Sequence, residues 1–149
     1  RRYMEIMSKL QAWFISISGA VGAFIVQLFG GWTTDLQTLL TFMAIDFAMG
    51  LIIAAVFKKS PKTESGTLSS AACFKGLCKK GVMLLFVLIG YRLDMSLKVD
   101  YIRSAVIIGF IANELISIVE KSGIMGIPLP EIVKKSIELL KNKGDTNAH

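Results

Sequence analysis

The sequence predicts an all-α integral membrane protein with three to four transmembrane helices, four in the layout its charges support, and a C-terminal amphipathic cytoplasmic helix. Three observations lead there. The 149 residues are 53% hydrophobic, with a mean hydropathy of +0.58, and so short a soluble chain has too small a core to hide that much apolar surface. The apolar residues fall in runs of membrane length. The basic residues gather between those runs, where they act as determinants of topology.

Residues 1–11 read as a cytoplasmic N-terminal segment. The chain opens on Arg1, Arg2 and Tyr3, so Met4 or Met7 is the expected native start. Residues 12–32, AWFISISGAVGAFIVQLFGGW, carry no charge and would span roughly 30 Å as a helix, which matches the bilayer hydrocarbon. Trp13 and Trp32 mark the two ends, and indole rings favour the headgroup level. No small-residue cleavage site closes the run, so it is expected to be retained rather than removed as a signal peptide. Ser18 with Gly22, and Gly19 with Ala23, place small residues at i, i+4 on one face, suited to close helix packing within or between subunits.

Residues 36–57, LQTLLTFMAIDFAMGLIIAAVF, form a second run broken only by Asp46. An acid at the bilayer centre costs about 2.5–3.5 kcal/mol on insertion scales, so it should face protein or water. Gly50 and Ala54 follow at four-residue steps and share its helical face. Residues 58–78 then read as a basic loop, rich at first in Lys, Ser, Thr, Pro and Gly. Lys75, Lys79 and Lys80 form a basic link at the membrane surface.

The third span is placed at 79–97. Its apolar part, GVMLLFVLIGY, is too short to cross alone and needs Lys79 and Lys80 to snorkel or the helix to run past Arg92 to Leu97. The fourth span, 101–119, is interrupted by Asn113 and Glu114, with Ser117 beyond them. The transmembrane region as a whole covers 12–122. Residues 123–149 read as a cytoplasmic turn and basic tail. Pro130 suits the first turn of a helix, along which Val133, Ile137 and Leu140 line one side and lysines the other. Such a helix can lie on a membrane or dock to a partner.

An N-in, four-span topology puts Arg1, Arg2, Lys9, the lysines of 58–80, Lys121 and the tail lysines in the cytoplasm, leaving Arg92, Lys98 and Arg103 outside. Both termini are then cytoplasmic, and the tail's positive charge favours anionic lipid. A three-span version, with the first or third segment dipping into the interface, is the alternative.

Composition also excludes function classes. The 17 Lys and Arg against 11 Asp and Glu give +6, but no stretch interleaves basic and aromatic residues as a nucleic-acid surface would. Cys73 and Cys78 are the two cysteines and His149 the one histidine. That is too few ligands for a zinc site, so two free thiols are expected. No nucleophile–base pair, phosphate-binding glycine loop or metal set is present. Neither enzyme activity nor a cofactor is expected.

The helix IDFAMGLIIAA, the link FKGLCKKG, the segment ANELISIVE and the turn GIPLP before a lysine-rich helix occur in that order. Together, over about residues 12–143, they resemble the toxin-secretion/phage-lysis holin family, which includes phage holins and the holin-like proteins of clostridial toxin loci. Asp46 and Gly50 match that family's Asp-x-x-x-Gly helix, and Lys80 its basic link. Asn113, Glu114, Ser117 and Glu120 match the penultimate motif, while Gly126, Pro128 and Pro130 match the Gly-x-Pro-x-Pro turn. The resemblance implies a protein of the bacterial cytoplasmic membrane that binds copies of itself and opens a lesion. An endolysin or large toxin would be released cargo rather than a stable partner. Members with three spans are described, so the family leaves the count open.

Two readings of the acids stand side by side. Asp46 and Glu114 either hold one bundle together through hydrogen bonds or face an oligomer interface or wet lumen, where Lys80 or Arg103 would pair with them. Competing functions are a narrow channel for ions or small solutes and an antiholin-like membrane adaptor.

Overall fold

A computed structural model describes residues 1–147, with the side chain of Asn147 left aside, so His149 lies outside the described residues. All five regular elements are helices, and no strand occurs among the described residues. The chain divides into two compact units, Arg1–Trp32 and the remainder from Thr33.

The first unit is the helix α1, Arg2–Leu28. It begins ten residues before the predicted span and stops before Trp32, so the second tryptophan does not sit on the helix. The cause is local. Gly30 and Gly31 have φ of 87° and 103°, a conformation open to glycine at no steric cost. Their amides cap the helix, Gly31 N donating to Val26 O at 3.0 Å and Gly30 N to Gln27 O at 3.1 Å. No residue of α1 is buried, and Ser18, Gly19, Gly22 and Ala23 are all exposed.

In the second unit α2 covers Thr34–Ile52 and continues as a π-helical turn, Ile53–Phe57. Lys58, at φ 53°, ends it. The loop that follows folds on itself through Ser60 N to Gly66 O at 3.0 Å. Gly66 is required there, because a Cβ would collide with the Lys58 carbonyl and φ is +72°.

Helix α3 spans Ser70–Leu97. Its first turns occupy residues read from the sequence as loop, a correction to the 58–78 boundary. Ser69 starts the helix by accepting from Ala72 N at 3.4 Å, and Ala71, Ala72, Leu77 and the lysines beyond are good helix formers. Helix α4 covers Ile102–Ile124. It ends in a Schellman turn with Gly126 at φ 76°, Ile127 N donating to Ser122 O at 2.9 Å and Gly126 N to Gly123 O at 3.1 Å. Gly126, Pro128 and Pro130 thus lie in the connection to α5, Glu131–Asn147.

Contacts at both ends show that α3 runs antiparallel to α2 and α4. At one end Asp94 of α3 accepts from Ile102 N and Arg103 N of α4, at 2.8 and 3.0 Å, while Arg103 donates to Thr33 Oγ1 at the start of α2 at 3.0 Å. Leu39 of α2, Val87 of α3 and Ile107 of α4 fill the centre and are fully buried. Helices α3 and α4 approach closely at Gly90, where a Cβ would stand 3.2 Å from the Arg103 Cα. Helix α5 packs on α4. Ile137 is buried and Val133 and Leu140 are half-buried, whereas Ile132 and Leu139 are exposed.

Among the described residues three helical segments are long and apolar enough to cross a membrane: Arg2–Leu28, Thr34–Phe57 and Ile102–Ile124. Helix α3, with Lys75, Lys79, Lys80, Arg92 and Asp94 along it, is not among these.

Candidate functional site

The bundle holds four charged side chains that the sequence sets far apart. Lys80 Nζ of α3 donates to Asp46 Oδ2 of α2 at 2.7 Å and to Glu114 Oε2 of α4 at 2.8 Å. Lys121 Nζ, from the last turn of α4, donates to Asp46 Oδ1 at 2.6 Å, to the Asp46 carbonyl at 3.2 Å and to Ser117 Oγ at 3.3 Å. Two ammonium groups and two carboxylates therefore interlock.

Each member is positioned by helical spacing. Glu114, Ser117 and Lys121 lie at i, i+3 and i+7 on one face of α4. Asp46 and Gly50 lie at i, i+4 on α2, and Gly50 supplies the gap across which Lys121 extends. A Cβ on Gly50 would already touch Lys121 Cε at 3.5 Å. Lys80 comes from the facing surface of α3, one turn before Met83 and two before Val87, both buried.

Asp46 and Glu114 are 4% and 2% exposed. Charges so enclosed survive only when paired and hydrogen-bonded. That condition holds, because no buried side-chain nitrogen or oxygen among the described residues lacks a partner.

A second polar layer closes the opposite end of the bundle. Arg103 Nη1 lies 3.6 Å from Asp35 Oδ1, and Asp35 also accepts from the Thr33 hydroxyl and from Leu36 N. Along α2 the two layers are about 16 Å apart at 1.5 Å per residue. Leu36, Leu39, Met43, Val87, Ile107 and Ile111 are buried apolar residues of this part of the bundle, forming a dry partition between the layers.

On the other side of the cluster lies a cavity of about 200 Å³, enclosed by α2, the loop after it, α3 and α4. Asp46, Lys80, Glu114 and Lys121 form its floor, and Lys62, Lys79 and Glu120 also line it.

The structure brings together only part of the predicted set. Asp46, Glu114, Ser117, Gly50 and buried Ala54 share the cluster or its cavity, whereas Asn113 is exposed at the cavity wall. Lys75 and Lys79 are exposed. Lys80 departs from that reading: it points inward because two carboxylates face it, and it is half-buried. Arg103 pairs with Asp35 rather than with Asp46 or Glu114. Lys121, by sequence a cytoplasmic charge, joins the cluster, and its spacing of seven from Glu114, with Ser117 between, is the signal in the sequence for that role. Cys73 and Cys78 are free thiols, and Cys73 lines the cavity.

Apolar helices of membrane length, two of them packed around an internally neutralised charge cluster, mark a helical membrane protein. Residues 23–142 match the bacteriophage holin family, and the chain belongs to that family. It is similar to an uncharacterised protein of Listeria innocua, 36% identical over 94% of this chain and 91% of the relative. An uncharacterised protein of Halalkalibacterium halodurans is 33% identical over 91% and 96% of the two chains. A 14.9 kDa protein encoded in the nagH 3' region of Clostridium perfringens is 32% identical over 83% and 89%. No solved structure matches.

Proposed function

We propose that the protein acts as a holin: copies of the chain associate in the bacterial cytoplasmic membrane and open a lesion that releases an endolysin or a large protein toxin. Membership of the bacteriophage holin family over residues 23–142 carries this reading. The arrangement of charge supports it, because each protomer neutralises its own buried acids and leaves apolar helix faces outward. Such a protomer can accumulate in lipid before it assembles. Phe74, Leu77, Leu85, Phe86, Ile89 and Leu93 of α3 are all exposed, which suits contact with lipid or with further copies.

The same geometry supports a reading with four crossings. Helix α3 is tied to α2 and α4 at two levels, through Lys80 to Asp46 and Glu114 and through Asp94 to the start of α4. If α2 and α4 cross the bilayer, α3 must return between the same levels. With α1 as a further span, both termini lie in the cytoplasm beside the basic loop and tail, in accord with the positive-inside bias.

The test is expression in a bacterium with and without a cytoplasmic endolysin, following lysis and the escape of a folded reporter protein. Endolysin-dependent lysis with reporter release is the expected result. Ion leakage without protein release would identify a narrow channel instead, and no effect on either would leave only an adaptor-like role.

A further inference from the structure

The cavity above the charge cluster has an unbalanced lining. Four lysines border it, Lys62, Lys79, Lys80 and Lys121, against three carboxylates, Asp46, Glu114 and Glu120. Lys80 and Lys121 are consumed by Asp46 and Glu114. Lys62 and Lys79 make no ion pair among the described residues, so the cavity retains one positive charge in excess even when Glu120 is counted.

We propose that this cavity binds the phosphate of an acidic phospholipid headgroup. Several observations converge on that chemistry. The first turn of α3, with Ser69, Ala72 and Cys73, forms part of the wall, and the start of a helix favours an anion. Ser60 adds a hydroxyl donor from the loop. Lys62, an exposed residue, is held below the ordinary lysine range, first by partial loss of solvent and next by repulsion from Lys121, with Lys80 and Lys79 adding to it and Asp46 opposing. Cations gathered against their own repulsion gain most from an anion placed among them. Leu68, Met83 and Ile124, with Phe47, Leu51 and Ile53, add apolar surface beside Asn113 and Ser117. That surface suits the glycerol and first methylenes of a lipid and offers nothing to inorganic phosphate.

Cys73 reports on occupancy directly. The full-length chain carrying Cys78→Ser is reconstituted in phosphatidylcholine vesicles with or without a phosphatidylglycerol fraction, and modification of Cys73 by a neutral maleimide is timed. A lipid present at about ten times its dissociation constant slows the reaction roughly tenfold. Lys62→Gln combined with Lys79→Gln is expected to restore the rate seen in pure phosphatidylcholine. Lys134→Gln with Lys135→Gln removes the same charge outside the cavity and should leave the protection intact. Cys78, read alone in a Cys73→Ser chain, is exposed and controls for the general effect of a negative surface on thiol reactivity.

Equal Cys73 rates in the two vesicles, or protection that survives loss of both lysines, would overturn the proposal. Protection by inorganic phosphate in phosphatidylcholine, matching that of phosphatidylglycerol, would overturn the lipid assignment in favour of a soluble phosphate compound. Lysis is not part of the readout, so either result leaves the lesion-forming role to be judged by its own experiment.

Discussion

The Lys121 ammonium donates to both the carboxylate and the backbone carbonyl of Asp46, at 2.6 and 3.2 Å. One lysine of α4 thereby fixes side chain and main chain of α2, while Lys80 holds the other carboxylate oxygen. Asp46→Leu leaves Lys121 without a carboxylate partner and Lys80 with Glu114 alone. Removing one partner of a buried ion network costs about 3–5 kcal/mol, so thermal unfolding in detergent should shift to markedly lower temperature. Oligomer size and lysis timing should change with it. A double-mutant cycle on Lys80→Met and Glu114→Gln is expected to show a coupling of about 0.5–3 kcal/mol; strict additivity would mean that the 2.8 Å contact contributes nothing.

Gly90 and Gly109 make a controlled comparison. A methyl group at Gly90 would meet the Arg103 backbone at 3.2 and 3.4 Å, whereas nothing lies within 4 Å of one at Gly109. Gly90→Ala should force α3 and α4 apart and destabilise the protein by about 1–3 kcal/mol. Gly109→Ala should be neutral or stabilising by up to roughly 1 kcal/mol, since alanine is the better helix former. Denaturation of the two variants side by side checks both signs.

The small residues of α1 bear on assembly. Ser18, Gly19, Gly22 and Ala23 are exposed along a helix that buries none of its residues. Gly22→Leu places bulk on that face and should shorten the ladder of crosslinked oligomers in membranes without lowering the yield of protein. An unchanged ladder would show that this face does not meet another subunit.

Helix α5 packs on α4, and its Ile137 is 8% exposed. Ile137→Ala should release the helix at a cost of about 2 kcal/mol or more, measurable as faster proteolysis after Pro130. If the docked tail sets the threshold for assembly, this substitution and deletion of 131–149 will move lysis time in the same direction.

Helix content, the apolar spans and the two acids are legible in the sequence because they depend on local properties: run length, charge and spacing. Asp46 and Glu114 stand out against apolar neighbours without any knowledge of the fold. Their partners do not. Lys80 and Lys121 follow the statistics of cytoplasmic lysines, and a lysine's flexible stem reaches outward or inward according to what faces it. The start of α3 was missed for a related reason. Residues 70–78, SAACFKGLC, continue a stretch rich in Ser, Thr and Gly and include Lys75 and Gly76, yet Ser69 caps them and the helix beyond propagates back through them.

The sequence by itself determined that this chain belongs in a lipid bilayer and that it resembles holins, because hydropathy and motif order are properties of the chain alone. Only tertiary structure decided that the buried charges neutralise one another within a single protomer. Asp46, Lys80 and Glu114 meet across three helices at separations of 34 residues. Such contacts depend on the register of α2, α3 and α4, and that register is set by the packing of Leu39, Val87 and Ile107, the closeness allowed by Gly90, and the anchoring of α4 on Asp94.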